Sequence, residues 1–310
     1  MSEYNIKSIK QSFKDKGIFY TPPELSELIK SYVDREVTEV YDPTCGDGAL
    51  LSVFDDSVKK YGQEINQYQL NEACNNLTNF YGVCGDTLKN PAFIDRKFEC
   101  IVANPPFSIK WEPKIDERFI NSPALPPKGK ADYAFLLHIL YYLSDTGIAV
   151  TLNFPGIAYR GNREYKIRKW IIEKNYIDKV VSIPGDTFVD TKIQTLLIVF
   201  RKNKATTDVM FEDKKLNKSR IVTLNEIQKN DYNLSVNNYI FEEKNIEIIN
   251  PLELQRKARN DFIKKLINDI KIDIAICELE KWDKTEYINE IIKVVNNIKR
   301  GMGDDPRIET

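Results

Sequence analysis

Residues 104–107 of this 310-residue chain read Asn-Pro-Pro-Phe and close an apolar run, Cys100-Ile101-Val102-Ala103. Two successive prolines stop both helix and sheet ladder, and they hold the residues before them extended. The Asn104 side chain and the Pro105 carbonyl are therefore fixed at the C-terminal edge of a strand. They offer two hydrogen-bond acceptors beside an aromatic plate, Phe107. Such an arrangement suits a planar substrate that carries an exocyclic amine, such as a nucleobase.

A second constellation lies upstream. Val40-Tyr41-Asp42-Pro43-Thr44-Cys45-Gly46-Asp47-Gly48 reads as a strand, a glycine turn and a helix start. Gly46 and Gly48 let a ligand approach the main chain where a Cβ would obstruct it. Asp42 at the strand end can accept from an ammonium or from main-chain donors, and it would repel a pyrophosphate. The next strand ends in Glu64, placed to hold both hydroxyls of a ribose. The third ends Cys84-Gly85-Asp86, and a carboxylate there can accept from an adenine amine. Acids often sit at strand ends as turn residues. Three on consecutive strand ends beside a glycine turn specify a ligand with an amine, a ribose and a base, which is S-adenosylmethionine rather than NAD. Further upstream, Phe19-Tyr20-Thr21-Pro22-Pro23-Glu24 precedes a helix that Thr21 can cap with Glu24 three residues on. Thr21 with Phe19 or Tyr20 can also touch the methionine end of the cofactor.

The elements that position these residues alternate as far as about residue 200. Strands are predicted at Glu39–Tyr41, Tyr61–Glu64, Tyr81–Cys84, Glu99–Ala103, Gly147–Asn153, Lys179–Ser182 and Thr195–Arg201. Several are short apolar runs without alternation, as expected for strands covered on both faces. The spacing predicts an α/β fold with a mostly parallel, doubly wound sheet, whose ligands lie at the carboxyl ends of the strands. Residues 104–130 break the rhythm with repeated prolines and read as a mobile substrate loop. A weaker strand is predicted at Arg220–Leu224. From Pro251 the pattern turns helical, and a second helix is predicted from Asp283 to Gly301, with Glu286 completing a capping box. The chain thus reads as a catalytic domain over 1–240 and a helical tail over 241–310 that packs on its own domain or on another chain.

Composition narrows the function class. The net charge is −1, so no overall basic excess announces nucleic acid, although a basic stretch runs from Gly156 to Lys204. The five cysteines include no Cys-x-x-Cys pair and there is one histidine, His138, so neither a zinc site nor a disulfide framework is expected. Scattered cysteines fit a reducing cytoplasm. The polar N-terminus reads as no signal peptide, and the longest apolar stretch, Tyr133–Leu143, is too short to span a bilayer. His138 lies in an apolar helical pattern and reads as a core residue.

Taken together, the Phe-Tyr-Thr-Pro, Asp-Pro-x-Cys-Gly-x-Gly and Asn-Pro-Pro-Phe segments resemble the amino-methylating DNA methyltransferases, above all the modification subunits of type I restriction-modification systems. Gly62-Gln63-Glu64-Ile65-Asn66, Gly85-Asp86-Thr87-Leu88 and Ala131-Asp132-Tyr133-Ala134-Phe135 extend the resemblance. So do Gly156-Ile157-Ala158-Tyr159-Arg160-Gly161, Ile167-Arg168-Lys169 and Asp231-Tyr232-Asn233-Leu234-Ser235. The likeness covers roughly residues 10–240. It departs in the short segment before the first motif and in the lack of an obvious target-recognition domain, which points to sequence choice by a partner.

The resemblance implies a seven-stranded sheet with one antiparallel strand, the class I methyltransferase fold, and a helical C-terminal extension. It implies that Asp42, Pro43, Cys45, Gly46 and Gly48 surround the methionine part of S-adenosylmethionine together with Phe19, Tyr20 and Thr21. Glu64 would hold the ribose and Asp86 the adenine. Asn104, Pro105, Pro106 and Phe107 would form the pocket for a flipped adenine, whose N6 receives the methyl group. Arg160, Arg163, Lys166, Arg168 and Lys169 are candidate contacts to the phosphates of double-stranded DNA. No metal is implied, nor a membrane. The partner is a separate specificity subunit or a second copy, engaged through the C-terminal helices. The rival readings are methylation of a ribosomal RNA guanine amine or of a release-factor glutamine, and a non-catalytic assembly protein. The Thr-Pro segment before the glycine turn argues against the first two, and the intact acids and Asn104 against the third.

Overall fold

A computed structural model describes residues 21–185, 194–241 and 250–302. The chain divides into two compact units, Met1–Glu242 and Glu243–Thr310. In the first, α1 (Pro23–Ser31) precedes β1 (Glu39–Asp42) and β2 (Lys59–Glu64). Then follow α2 (Gln67–Asn76), β3 (Phe80–Cys84) and β4 (Phe98–Ala103). After a long connection come α3 (Asp132–Tyr142), β5 (Leu143–Asn153), a 3₁₀ turn (Pro155–Ala158) and α4 (Asn162–Glu173). The unit ends with β6 (Ile177–Ile183), β7 (Thr195–Arg201), β8 (Val209–Asp213), β9 (Lys218–Val222), α5 (Leu224–Lys229) and a 3₁₀ turn (Val236–Asn238).

One nine-stranded sheet runs in the order β3-β2-β1-β4-β5-β7-β6-β8-β9. The first seven of these are the expected strands, parallel except for β7, which runs against both β5 and β6. The hairpin β8–β9 then extends the edge, with β8 parallel to β6 and β9 antiparallel to β8. β8 escaped the sequence reading because it is no plain apolar run. Val209 and Phe211 are buried while Met210 and Glu212 are only half-buried.

The continuous apolar strands are explained by a core on each face. In β4, Ile101 and Ala103 join one cluster, with Tyr41, Tyr133 and Tyr142. Cys100 and Val102 join the other, with Leu25 and Ile29 of α1 and Leu70 of α2. All four β4 residues are fully buried, each large one contributing roughly 1.5–3 kcal/mol by burial. Strand order reverses between β1 and β4, so the ligand crevice of a doubly wound sheet must open at the C-terminal ends of those two strands. Asp42 ends β1, and Asn104 directly follows β4.

In the second unit, α6 (Pro251–Leu279) is capped by the Asn250 side chain, which accepts from Leu252 N at 3.0 Å. α7 (Lys284–Met302) follows Asp283, whose Oδ1 accepts from Thr285 N at 2.8 Å. This agrees with the helix start read from the sequence. Along α6, Phe262, Ile263, Leu266 and Ile267 are 46–67% exposed, whereas Cys277 is buried.

Candidate functional site

The C-terminal ends of β1, β2 and β3 form one side of an open cleft. Register sets the levels: Asp42 pairs with Gly62, and Glu64 with Cys84. Pro43, Gly46, Glu64, Asp86, Asn104 and Pro106 all line the cleft. Gly46 has a φ of +54°, and a Cβ there would find its nearest neighbour, Gln69 Oε1, 3.9 Å away. That position is a turn with free space over it, a cradle that a side chain would fill. Gly48, at φ +87°, has a different reason. A Cβ there would sit 2.6 Å from Leu77 Cδ1, so this glycine lets α2 and the residue after it pack close.

The three acids are held by main-chain donors. Glu64 Oε2 accepts from Gly46 N at 3.0 Å, and its Oε1 from Asn66 N at 2.9 Å. Asp86 Oδ1 accepts from Leu88 N at 2.9 Å and Lys89 N at 3.1 Å. Asp42 Oδ1 accepts from Thr44 N at 2.8 Å. Asp42 is 1% exposed, and burial, opposed by the Thr44 bond and reinforced by Glu64, lifts its carboxyl to about 7. Among the described residues none of these acids is in an ion pair, although Lys110 lines the same cleft. Cys45 lies behind the cleft, its thiol pushed well up by burial, and a Cβ on Gly62 would sit 2.7 Å from its sulfur. It is a packing residue. Sequence reasoning did not single out Ile65, which lines the cleft and is 67% exposed, nor Ile109 and Trp111 on the opposite wall. An apolar residue left bare at a strand end is the signal, and it shows only once burial is known.

On the β4 side, Asn104 Nδ2 donates to Thr21 Oγ1 at 3.2 Å. Thr21 does not cap α1: the N-cap is Pro22, with no side-chain cap bond. Its hydroxyl is instead spent on orienting Asn104. Phe19 and Tyr20 lie outside the described residues. With Nδ2 engaged, Asn104 presents Oδ1, which accepts no intramolecular bond among the described residues; the Pro105 carbonyl accepts none there either. Phe107 packs 6.4 Å, centroid to centroid, from Phe154 at the end of β5.

The connection after Phe107, expected to be mobile, is tied at several points. Trp111 donates its indole to Pro127 O at 3.0 Å, and Ala131 N donates to Ile109 O at 2.8 Å. The buried Arg118 donates to Thr87 O, Leu88 O and Asp116, which fastens the loop to the residues just beyond Asp86. Arg118 Nη1 also meets His138 Nδ1 at 3.1 Å. A guanidinium only donates, so Nδ1 accepts. Burial and then Arg118 press the imidazole well below its ordinary range, so it is neutral and gives its Nε2 proton to Tyr41 Oη at 3.1 Å. His138 is a core residue, as read.

Of the candidate phosphate contacts, Arg163 and Lys166 are exposed. Lys169 is half-exposed and lies 3.8 Å from Glu173. Arg168 must be withdrawn. It is 2% exposed and its guanidinium goes to Tyr232 O at 2.8 Å, Arg160 O at 2.7 Å and Ile157 O at 3.3 Å. Arg160 turns inward to Asp132, Glu164 and Ser108. A run of basic residues in sequence is thus split by α4 into an outer and an inner set.

Comparison with known proteins gives a consistent answer. A family model for N-6 DNA methylases matches residues 1–220. The type I restriction enzyme MpnII methylase subunit of Mycoplasma pneumoniae is 31% identical over 84% of this chain and 61% of its own length. The MjaVII methylase subunit of Methanocaldococcus jannaschii is 29% identical over 92% of this chain and 56% of that protein. Among solved structures, a type I restriction-modification methyltransferase subunit from Streptococcus thermophilus superimposes with a TM-score of 0.66 at 30% identity, over 72% of this chain and 60% of that one. The chain therefore spans about three-fifths of the length of these relatives.

Proposed function

The chain belongs to the N-6 DNA methylase family, and from that premise we propose that it transfers a methyl group from S-adenosylmethionine to the N6 amine of an adenine flipped out of duplex DNA. The proposal extends to its setting: the modification subunit of a type I-like system, acting in the cytoplasm with a separate specificity subunit. The observation that carries it is the orientation of Asn104. An adenine amine is a poor nucleophile because its lone pair is delocalised into the ring. Two acceptors on its N–H groups favour a more pyramidal, more nucleophilic nitrogen; Asn104, which lines the cleft, and the next residue, Pro105, offer an Oδ1 and a carbonyl that accept no bond among the described residues.

The carboxylates fit the cofactor. Asp42 would face its ammonium, Glu64 its ribose and Asp86 its adenine, with Gly46 leaving the main chain open to it. When bound, the cofactor supplies a methyl group on a sulfonium centre. The protein's own part is to bind, orient and exclude water. Phe107 would stack on the extruded base, returning about 1–3 kcal/mol against an extrusion cost of a few kcal/mol. Positioning two reactants in line supplies much of the acceleration. No protein nucleophile is used, and the amine's extra proton leaves after transfer, so no general base is assigned. Arg163, Lys166 and Lys169 remain as phosphate contacts.

The α6 residues Phe262, Ile263, Leu266 and Ile267 offer an apolar stripe to the partner subunit or to a second copy. No helix among the described residues is long and apolar enough to cross a membrane. Curated relatives named as type I methylase subunits favour DNA over ribosomal RNA or release factor as the acceptor. Labelled methyl transfer offered duplex DNA, ribosomal RNA and release factor in parallel tests this. DNA is the expected acceptor, and transfer to either of the others without DNA overturns the reading.

A further inference from the structure

Four segments outside the cofactor cleft and the base pocket converge on one point. They are Ala131–Phe135, Gly156–Gly161, Ile167–Lys169 and Asp231–Ser235. Tyr133 Oη donates to Ile157 O at 2.7 Å. Arg168 donates to the carbonyls of Ile157, Arg160 and Tyr232. Leu234 N donates to Ala158 O at 3.0 Å. Every one of these bonds fixes the main chain of the turn between β5 and α4, or ties a neighbour to it. What the turn presents is the Arg160 guanidinium.

That guanidinium points at the residue after the Asn-Pro-Pro-Phe segment. Arg160 Nη2 donates to Ser108 Oγ at 2.9 Å, and Nη1 donates to Asp132 Oδ2 at 3.1 Å and Glu164 Oε1 at 3.3 Å. The other oxygen of Asp132, Oδ1, accepts from Ser108 N at 3.1 Å. Ser108 is thus gripped on its side chain by Arg160 and on its main chain by Asp132, and it holds a φ of +53°, a conformation that L residues seldom adopt unaided. The grip is buried. The side chains of Arg160, Asp132 and Glu164 are 13%, 4% and 7% exposed. Gly156 makes room for it: a Cβ there would stand 2.5–2.8 Å from three atoms of the guanidinium. The guanidinium also lies 5.3 Å from the centroid of Phe154, the ring that backs Phe107.

We propose that Arg160, with Asp132, is a positioning residue that locks Ser108 and so fixes the plane of Phe107 and the direction of the Pro105 carbonyl in the base pocket. The proposal rests on the reading of residues 104–107 as that pocket. It replaces the phosphate role for Arg160, and the two roles part experimentally. A phosphate contact changes the salt dependence of DNA binding by about 0.9 in the log–log slope. A positioning residue leaves that slope alone and lowers turnover at saturating DNA.

The variants are Arg160→Met and Gly156→Ala, the second displacing the guanidinium without removing it. For the full-length protein, hydrogen exchange at the amides of residues 107–110 is expected to quicken by about tenfold or more in Arg160→Met, with exchange at 62–66 unchanged. Gly156→Ala should move the same amides by less. Where the wild type, produced with its neighbouring genes, methylates DNA free of N6-methyladenine, Arg160→Met should cost about 10²-fold in kcat. The S-adenosylmethionine affinity and the salt slope on random-sequence duplex should hold. Unchanged exchange at 107–110 in both variants overturns the proposal, and so does a lowered salt slope with kcat intact. If the wild type methylates no DNA, the proposed function falls, while the exchange result still decides the clamp.

Discussion

The two sides of the crevice handle charge in opposite ways. On the β1–β3 side, among the described residues, Asp42, Glu64 and Asp86 accept only main-chain or threonine donors and form no ion pair. On the β4–β5 side the acids are matched to arginines: the buried Asp132 and Glu164 to Arg160, and the half-buried Asp116 to Arg118. Leaving a buried carboxylate unpaired costs more than pairing it, although pairing alone does not always repay desolvation. On the proposed reading the first side, with Asp42 buried and Glu64 and Asp86 half-buried, holds its acids for a ligand that brings further donors. The second side uses its charges internally, to hold neutral acceptors and an aromatic ring in place. On that proposed reading one side binds and the other aims.

The sharpest way to break that contrast is at the aiming side. Asn104→Ala removes one of the two acceptors and should lower methyl transfer by about 10²–10³-fold, the loss typical of removing one preorganised polar group from an active site. S-adenosylmethionine affinity, by calorimetry, should stay within about twofold, because no cofactor carboxylate is touched. A variant that kept full turnover would refute the pocket. A variant that lost cofactor binding instead would put Asn104 on the wrong side of the comparison.

The binding side should respond to pH. Asp42 sits at about 7 in the ligand-free protein, against an ordinary value near 3.8. The folded chain therefore binds more protons than the unfolded chain between those values. Folded stability from this group is fully present at low pH and is lost as pH rises through about 7. Cofactor affinity should move the opposite way, because an ammonium needs the ionised carboxylate. Between pH 6 and 7.5 the affinity should climb by up to about tenfold and then level. Asp42→Asn should bind more weakly and flatten that profile. A flat wild-type profile would remove Asp42 from contact with the ammonium.

How much of this was open to sequence reading follows the same division. The inner sheet was legible because strands buried on both faces are written as short apolar runs, as in β4 to β7, whereas β3 is an exposed edge strand read from its place in the alternation. The binding side was legible because each of its acids sits beside the strand that positions it. Asp42, Glu64 and Asp86 are local facts. The aiming side rests on pairs far apart in sequence: Thr21 with Asn104, Asp132 with Arg160, Arg168 with Tyr232. Sequence shows that Arg160 and Arg168 are positive. It does not show that one meets two carboxylates and the other three carbonyls, so a basic run read as a phosphate track. Thr21 misled for a related reason. A threonine before a helix with an acid three residues on is a capping pattern, but Pro22 and Pro23 leave few main-chain donors to cap, and the hydroxyl turned to Asn104.

Thr21 then supplies a smaller test of whether the two sides are separable. Thr21→Val keeps the shape and removes the acceptor for Asn104 Nδ2. A single hydrogen bond is worth about 0.5–1.5 kcal/mol, so turnover should fall by no more than about tenfold. Thr21→Ser should restore it, and cofactor affinity should not change. If Thr21→Val chiefly weakens S-adenosylmethionine binding, Thr21 belongs to the binding side, as its sequence motif suggested.

The smallest effects belong to the outer face of α4, which neither binds cofactor nor aims the base. Lys166→Ala and Arg163→Ala remove exposed charges and should leave kcat at saturating DNA unaltered. Each should lower the slope of log affinity against log salt by about 0.9, because each phosphate contact releases counterions held by the duplex. The pair should add, since exposed side chains without shared partners couple weakly. Fluorescence anisotropy on a random-sequence duplex over a salt series reads this directly. A slope unchanged in both variants would mean that DNA lies elsewhere.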